Sequence, residues 1–365
     1  MNTTKTNDRS ANKTRQVFPD ALRIFAAVLV ILLHVQMDYL NHASNFGKPF
    51  WWITVYLNEF TRVGVPIFFM LSGYLLLSGK GSDNILSFYR SRFSKLVLPF
   101  LWASCVYYLF YRLASGGKLF DMAFVDQMLN TGTAYHLWYL YSLGMLYLFI
   151  PFLKMIVSHA EKEKKTWILL LLLVLMTWQT TLKPTLNMIF SPHLYFYLSA
   201  DGIVGYFGYA MLGYILGKHE LPKKPSLVIV GAGISSFAVF PLILGNDIIT
   251  SSSFFWNGGY TINHYIEAAA VFLAAKALFK PDFASAHGKT ASVLSYLSSL
   301  TFHVYIVHVL MLEFTDVFLG PLIDIMTPSV SILFRFTVVL VSSFTVSAIW
   351  HEVMKNSGTS ASPIR

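Results

Sequence analysis

Charge is scarce in this chain: only 12% of its 365 residues are Asp, Glu, Lys or Arg, about half the share found in an ordinary soluble domain. So little charge cannot clothe a water-facing surface, which excludes a soluble globule. The chain carries one cysteine, Cys105, and this excludes disulfides, Cys-x-x-Cys redox chemistry and thiolate metal clusters together. Cys105 itself lies in mid-span among apolar neighbours and reads as an inert thiol. Walker loops, the Gly-x-Gly-x-x-Gly fingerprint, His-Glu-x-x-His and Gly-x-Ser-x-Gly are all missing. ATP-driven transport and zinc- or serine-hydrolase chemistry therefore lack their signatures, and no metal is expected. No internal repeat is visible, and no polar segment is long enough to form a second domain.

Apolar residues make up 55% of the chain, with 31 Phe, 20 Tyr and 8 Trp. A window of about 20 residues finds apolar spans near 20–40, 55–79, 95–113, 136–157, 167–183, 199–217, 226–245, 263–280, 294–314 and 331–352. Backbone groups in hydrocarbon must be satisfied within the segment, so spans of this length predict helices. The expected fold is thus all-α, a polytopic membrane protein with ten transmembrane helices. A cytoplasmic N-terminus places 21 Lys and Arg on the inside and 6 on the outside, a positive-inside bias that also sets the C-terminus in the cytoplasm. Topology absorbs the net charge of +9, and no nucleic-acid partner is expected. The first apolar segment lacks a small-x-small cleavage site and reads as a retained span rather than a signal peptide. Residues 1–19 are expected to be a disordered cytoplasmic tail, 20–352 the membrane domain, and 353–365 a flexible cytoplasmic tail. Trp51, Trp52, Trp138, Trp167, Trp178 and Trp350 fall at span boundaries, as interfacial anchors do.

Ionisable groups inside spans are costly and mark function by default. His34 lies eleven residues beyond Arg23, roughly 16 Å along a helix axis, which puts it in the outer half of span one. Glu59 and Arg62, three apart on one face of span two, reach a similar depth, as do His136, His308, Glu267 and Arg335. Plainer readings stand beside each. His136 and His308 also suit helix-to-helix hydrogen bonds, Glu59 and Arg62 a mutual ion pair, and Arg335 a side chain reaching the outer headgroups. On the inner side, Arg90, Arg92 and Lys95 precede span three, with Arg23 at the same level. They fit either a solvated positive-inside loop or an anion site for a phosphorylated cytosolic ligand, since arginine forks match phosphate oxygens. The segment 161–165, of mixed sign, reads as a solvated loop, and Gly213-x-x-x-Gly217 as a close helix contact.

These residues resemble the acyltransferase-3 superfamily of integral membrane acyltransferases. The matches run in order: Asp20-Ala-Leu-Arg23 with His34, Arg62-Val-Gly-Val-Pro-Ile-Phe-Phe-Met-Leu-Ser72-Gly73-Tyr74, Arg90-Ser-Arg92-Phe-Ser-Lys95, His136-Leu-Trp138-Tyr139, and Thr301-Phe-His-Val-Tyr305-Ile-Val-His308. The resemblance implies O-acylation of an extracytoplasmic glycan, a surface polysaccharide or its lipid-linked oligosaccharide, from cytosolic acyl-CoA, usually acetyl-CoA. It further implies a bacterial inner-membrane location, an essential His34, and arginines on the donor. The family's usual Arg-x-x-Arg in the cytoplasmic segment stands here as Arg92-Phe-Ser-Lys95, so Arg90, Arg92 and Lys95 remain open as the donor grip. Taken with the depth argument, His34 is expected as base and Arg62 or His136 as oxyanion partner. Glu59 and His308 join the same candidate site. A polysaccharide carrier, and a succinyltransferase on the same scaffold, are the alternative functions.

Overall fold

The computed structural model describes residues 16–79, 84–116, 123–130, 132–178, 206–250 and 261–356. All regular structure among them is helical, with no strand. The principal helices are α1 (Phe18–Asn41), α2 (Pro49–Arg62), α3 (Gly64–Ser78), α4 (Ile85–Ser115), α5 (Ala123–Asn130) and α6 (Trp138–Lys162). They continue with α7 (Thr166–Thr177), α8 (Phe207–Lys218), α9 (Lys223–Thr250), α10 (Ile262–Leu278), α11 (Gly288–Ile323) and α12 (Pro328–Asn356). Helices lie in all ten apolar stretches so far as their residues are described; 179–183 and 199–205 lie outside the described residues. Seven segments are long and apolar enough to cross a membrane, with α2 and α3 counted as one and α6 extended by the 3₁₀ turn Tyr135–Leu137. The remaining three are shorter, at 12, 12 and 17 residues for α7, α8 and α10.

Local chemistry sets the ends of these helices. Pro19 stands in the first turn of α1 and Pro49 opens α2, where a missing N–H costs nothing. Asn84 caps α4 by accepting from the backbone N–H groups of Leu86 and Ser87 at 3.0 and 3.2 Å. Gly116 ends the same helix in the left-handed region at φ 67°, a conformation that costs glycine no steric clash. Two boundaries differ from expectation. α1 begins inside the segment read as a tail, because Phe18 is buried against the rings of Tyr74 and Phe272. α12 runs on to Asn356; residues 1–15 and 357–365 of the expected tails lie outside the described residues.

α1 is the hub of the bundle, touching α2, α3, α10, α11 and α12. The most extensive helix pair is α3 with α8, and small residues allow it. A Cβ on Gly73 would stand 1.8 Å from the carbonyl oxygen of Ala210, and one on Gly213 would stand 2.0 Å from that of Met70. Gly217 similarly admits the ring of Tyr74. The GxxxG therefore packs backbone on backbone, as read from the sequence. Glu161 is not simply solvated: it accepts from the Tyr214 hydroxyl at 2.9 Å and so ties α6 to α8. Arg335 does not reach away from the bundle either. It pairs with Asp38 at 3.0 Å and with Asp316, joining α12 to α1 and α11. Exposed Leu227, Val228, Ile234, Leu333, Val341 and Ile349 give α9 and α12 apolar outer faces, suited to lipid rather than water.

Candidate active site

Three histidines from three elements meet at one level of the bundle. The His34 ring on α1 lies 5.2 Å from that of His308 on α11, and His308 lies 5.2 Å from that of His136 in the turn before α6, centroid to centroid. Tyr135 closes on the edge of His34 at 5.1 Å. His136 and His308 are buried, while His34 is only partly so. His34 is thus the one imidazole of the three that keeps an open side.

The protons on the two buried rings follow from their neighbours, because a carbonyl oxygen only accepts. His308 Nδ1 lies 2.6 Å from the Tyr305 carbonyl and so donates to it. His308 Nε2 then presents a lone pair, and it has no hydrogen-bond partner among the described residues. His136 Nε2 likewise approaches the Ile306 carbonyl at 3.4 Å, leaving Nδ1 as its acceptor. α11 holds both rings through its own carbonyls, those of Tyr305 and Ile306. The Tyr107 hydroxyl donates to Ile306 O and accepts from Leu310 N, both at 2.9 Å. Those two groups are i, i+4 partners in a helix, so a side chain from α4 braces α11 at this turn. The Tyr305 hydroxyl in turn donates to the His136 carbonyl.

Arg62 stands at the break between α2 and α3, its cation at the carbonyl end of α2. It lies within electrostatic range of His34 on one side and of Glu59, His264 and Tyr206 on the other. Glu59 itself faces α10: it accepts from Asn263 Nδ2, and His264 Nε2 lies 3.7 Å from its Oε1. The sequence reading left Glu267 unassigned and overlooked Asn263 and His264. The available signal was their spacing, since three polar residues at i, i+1 and i+4 share a face of an otherwise apolar helix.

The basic residues gather at the opposite end of α1. Arg23 forms an ion pair with buried Asp20 at 3.8 Å. It also lines two cavities that share Arg23, Ser298 and Ser299: an open cleft of about 630 Å³ reaching Tyr296 and His351, and a pocket of about 80 Å³ reaching Tyr139 and Tyr305. Tyr305 is 5.7 Å from His136 and 5.6 Å from His308, ring to ring. A line of space and side chains therefore runs from the Arg23 end of α1 to the three histidines. Arg92 is half-buried over the Phe88 ring at 5.9 Å and lines a separate cleft of about 530 Å³ with Lys154. Arg92 and Arg23 both lie within electrostatic range of Tyr147. Arg90 is exposed and lies two positions from Arg92, about 200° around α4 at 100° per residue. Lys95, three positions on, returns to the Arg92 side.

The family model described as an acyltransferase domain, that of the acyltransferase-3 family, matches residues 16–350. The match takes in nearly the whole chain, and the protein belongs to that family: it is a multi-pass membrane acyltransferase. Comparison with curated proteins and with solved structures returns no match.

Proposed function

We propose that this protein transfers an acyl group, acetyl foremost, from cytosolic acyl-CoA to a hydroxyl of an extracytoplasmic or lipid-linked surface polysaccharide at the bacterial inner membrane. The observation that carries this reading is the pair of cavities that lead from Arg23 to Tyr305, whose ring packs against His136 and His308. A coenzyme with a polyanionic head and a long uncharged arm needs cations at the entrance and an uncharged passage beyond them, ending at a base. In the ten-span arrangement with cytoplasmic termini, the Arg23 end faces the cytosol and His34 faces the outer half of the membrane.

The chemistry follows from the tautomers. The His308 ring stands 5.2 Å from that of His34, centroid to centroid, with its Nε2 lone pair unused among the described residues, and we assign that lone pair to take an N–H from His34 once substrate is bound. His308 is then a positioning residue that leaves the other nitrogen of His34 as the base. As the sugar oxygen attacks the thioester carbonyl, its proton passes to that nitrogen, and the C–O bond forms with negative charge on the carbonyl oxygen. Arg62 is placed to meet that charge from the break between α2 and α3. Collapse of the intermediate breaks the C–S bond, and the CoA sulfur leaves with the proton. Glu59 takes no part in this transfer; it faces α10, three residues before Arg62.

Purified protein given acetyl-CoA and the native acceptor glycan should release one CoA thiol for each alkali-labile acetyl group gained by the glycan. His34→Ala should lower both signals by at least about 10²-fold, the low end of the usual contribution of a general base, while the protein stays monodisperse in detergent. Full activity in that variant would make His34 structural. Glycan movement across proteoliposomes without thiol release would favour a carrier, and thiol release with succinyl-CoA alone would change the donor.

A further inference from the structure

We infer that Glu59, His264 and Glu267 form a buried site for a divalent transition-metal ion, with zinc best suited to it, joining α2 to α10 beside Arg62. One ligand atom from each residue can be chosen so that all lie within 4.8 Å of one another. The three side chains are 1%, 0% and 0% exposed.

The observation that points to an ion is the unused coordinating capacity aimed at the centre of the cluster. His264 Nε2 makes no hydrogen bond among the described residues, and it stands 3.7 Å from Glu59 Oε1. That gap is too long for a hydrogen bond. It is close to the edge of a tetrahedral site, about 3.4 Å when each bond to zinc is about 2.0–2.1 Å. Asn263 Oδ1 also lacks a partner among the described residues, and the Glu267 carboxylate, whose Oε2 receives no donor there, lies within hydrogen-bonding range of that of Glu59, so a second carboxylate and a neutral oxygen stand beside the imidazole.

These side chains are further held by hydrogen bonds of the kind that orient metal ligands, Glu59 through the same oxygen that faces His264. Thr261 Oγ1 lies 2.7 Å from His264 Nδ1 and can accept that ring N–H, the tautomer in which the Nε2 lone pair faces the carboxylates. Ser236 Oγ donates to Glu267 Oε1 at 2.5 Å, and Asn263 Nδ2 donates to Glu59 Oε1. Two carboxylates in a dry interior need positive charge, and Arg62 supplies one unit nearby. A proton shared between the carboxylates is the rival arrangement. It supplies the missing charge but leaves His264 Nε2 without a partner, whereas a divalent ion engages that nitrogen as well. One imidazole with carboxylate oxygens suits zinc among the first-row ions. This inference does not depend on the acyl-transfer reading.

The test uses the full-length protein in detergent, purified through a histidine-free tag, stripped with chelator, reloaded with zinc chloride and desalted. Metal content is measured by mass spectrometry and thermal stability by tryptophan fluorescence. The wild type should retain close to one zinc per chain and melt at a higher temperature after reloading. His264→Ala and Glu267→Gln should each retain at least about tenfold less. The wild-type measurements stand even if a variant fails to fold. A folded wild type that retains no zinc and shows no thermal shift would overturn the site in favour of the shared proton. Variants that hold as much zinc as the wild type would also overturn it, by placing the metal elsewhere.

Discussion

Arg90 and Arg92 are easily counted as one patch, but the turn of their helix separates them. Arg92 is half-buried beside a cleft and shares the electrostatic neighbourhood of Tyr147 with Arg23, whereas Arg90 is exposed on another face of α4. Under the proposed function, the donor's phosphates should meet the first and not the second. Arg92→Ala should therefore weaken acetyl-CoA binding by about tenfold, in keeping with the loss of about 1.5 kcal/mol from a charge-assisted hydrogen bond. Arg90→Ala should stay within about twofold, the range expected of a solvated charge. Calorimetry on the two purified variants decides it, and equal losses would return both residues to a single diffuse patch.

At the scale of helices, α3 and α8 approach until backbone meets backbone. The carbonyl oxygens of Met70 and Ala210 fill the space where Gly213 and Gly73 would carry a Cβ. A main-chain atom cannot rotate away as a side chain does, so the two helices must part. Gly213→Ala should cost about 1–3 kcal/mol, the usual penalty of overpacking, read as a lower melting temperature in detergent. Gly231 on α9 is the control, because nothing lies within 4 Å of its would-be Cβ. Gly231→Ala should be neutral or stabilise by up to about 1 kcal/mol, since alanine gives up less backbone freedom in a helix. A matching loss at both positions would point to a general effect of the added methyl rather than to the close contact.

For the whole molecule, the proposed direction of transfer depends on orientation. In the proposed ten-span arrangement Lys and Arg favour one side by 21 to 6, and the positive-inside rule then expects the Arg23 end and both termini in the cytoplasm. Alkaline phosphatase fused after Lys355 should therefore be inactive, and the same reporter fused after Lys118 should be active. High activity after Lys355 would invert the donor and acceptor sides of the proposed reaction.

Composition and span periodicity made the all-helical membrane character legible, because a helix in hydrocarbon satisfies its own backbone and its signal is local. His34 and Arg62 were legible as candidates for a similar reason, since an ionisable group is conspicuous within an apolar run. The order in which helices lie side by side is not local. It depends on where a glycine admits a neighbouring carbonyl, as at Gly73 and Gly213, and on which side chain braces which helix, as Tyr107 does at Ile306 and Leu310. Depth along each span therefore set Glu59 level with His34, but only the packing turned Glu59 toward Asn263, His264 and Glu267 and brought His308 and His136 to His34 instead. Hydropathy reports how far a residue lies along its own helix, whereas a site is made by lateral neighbours, and those are decided only when the helices close on one another.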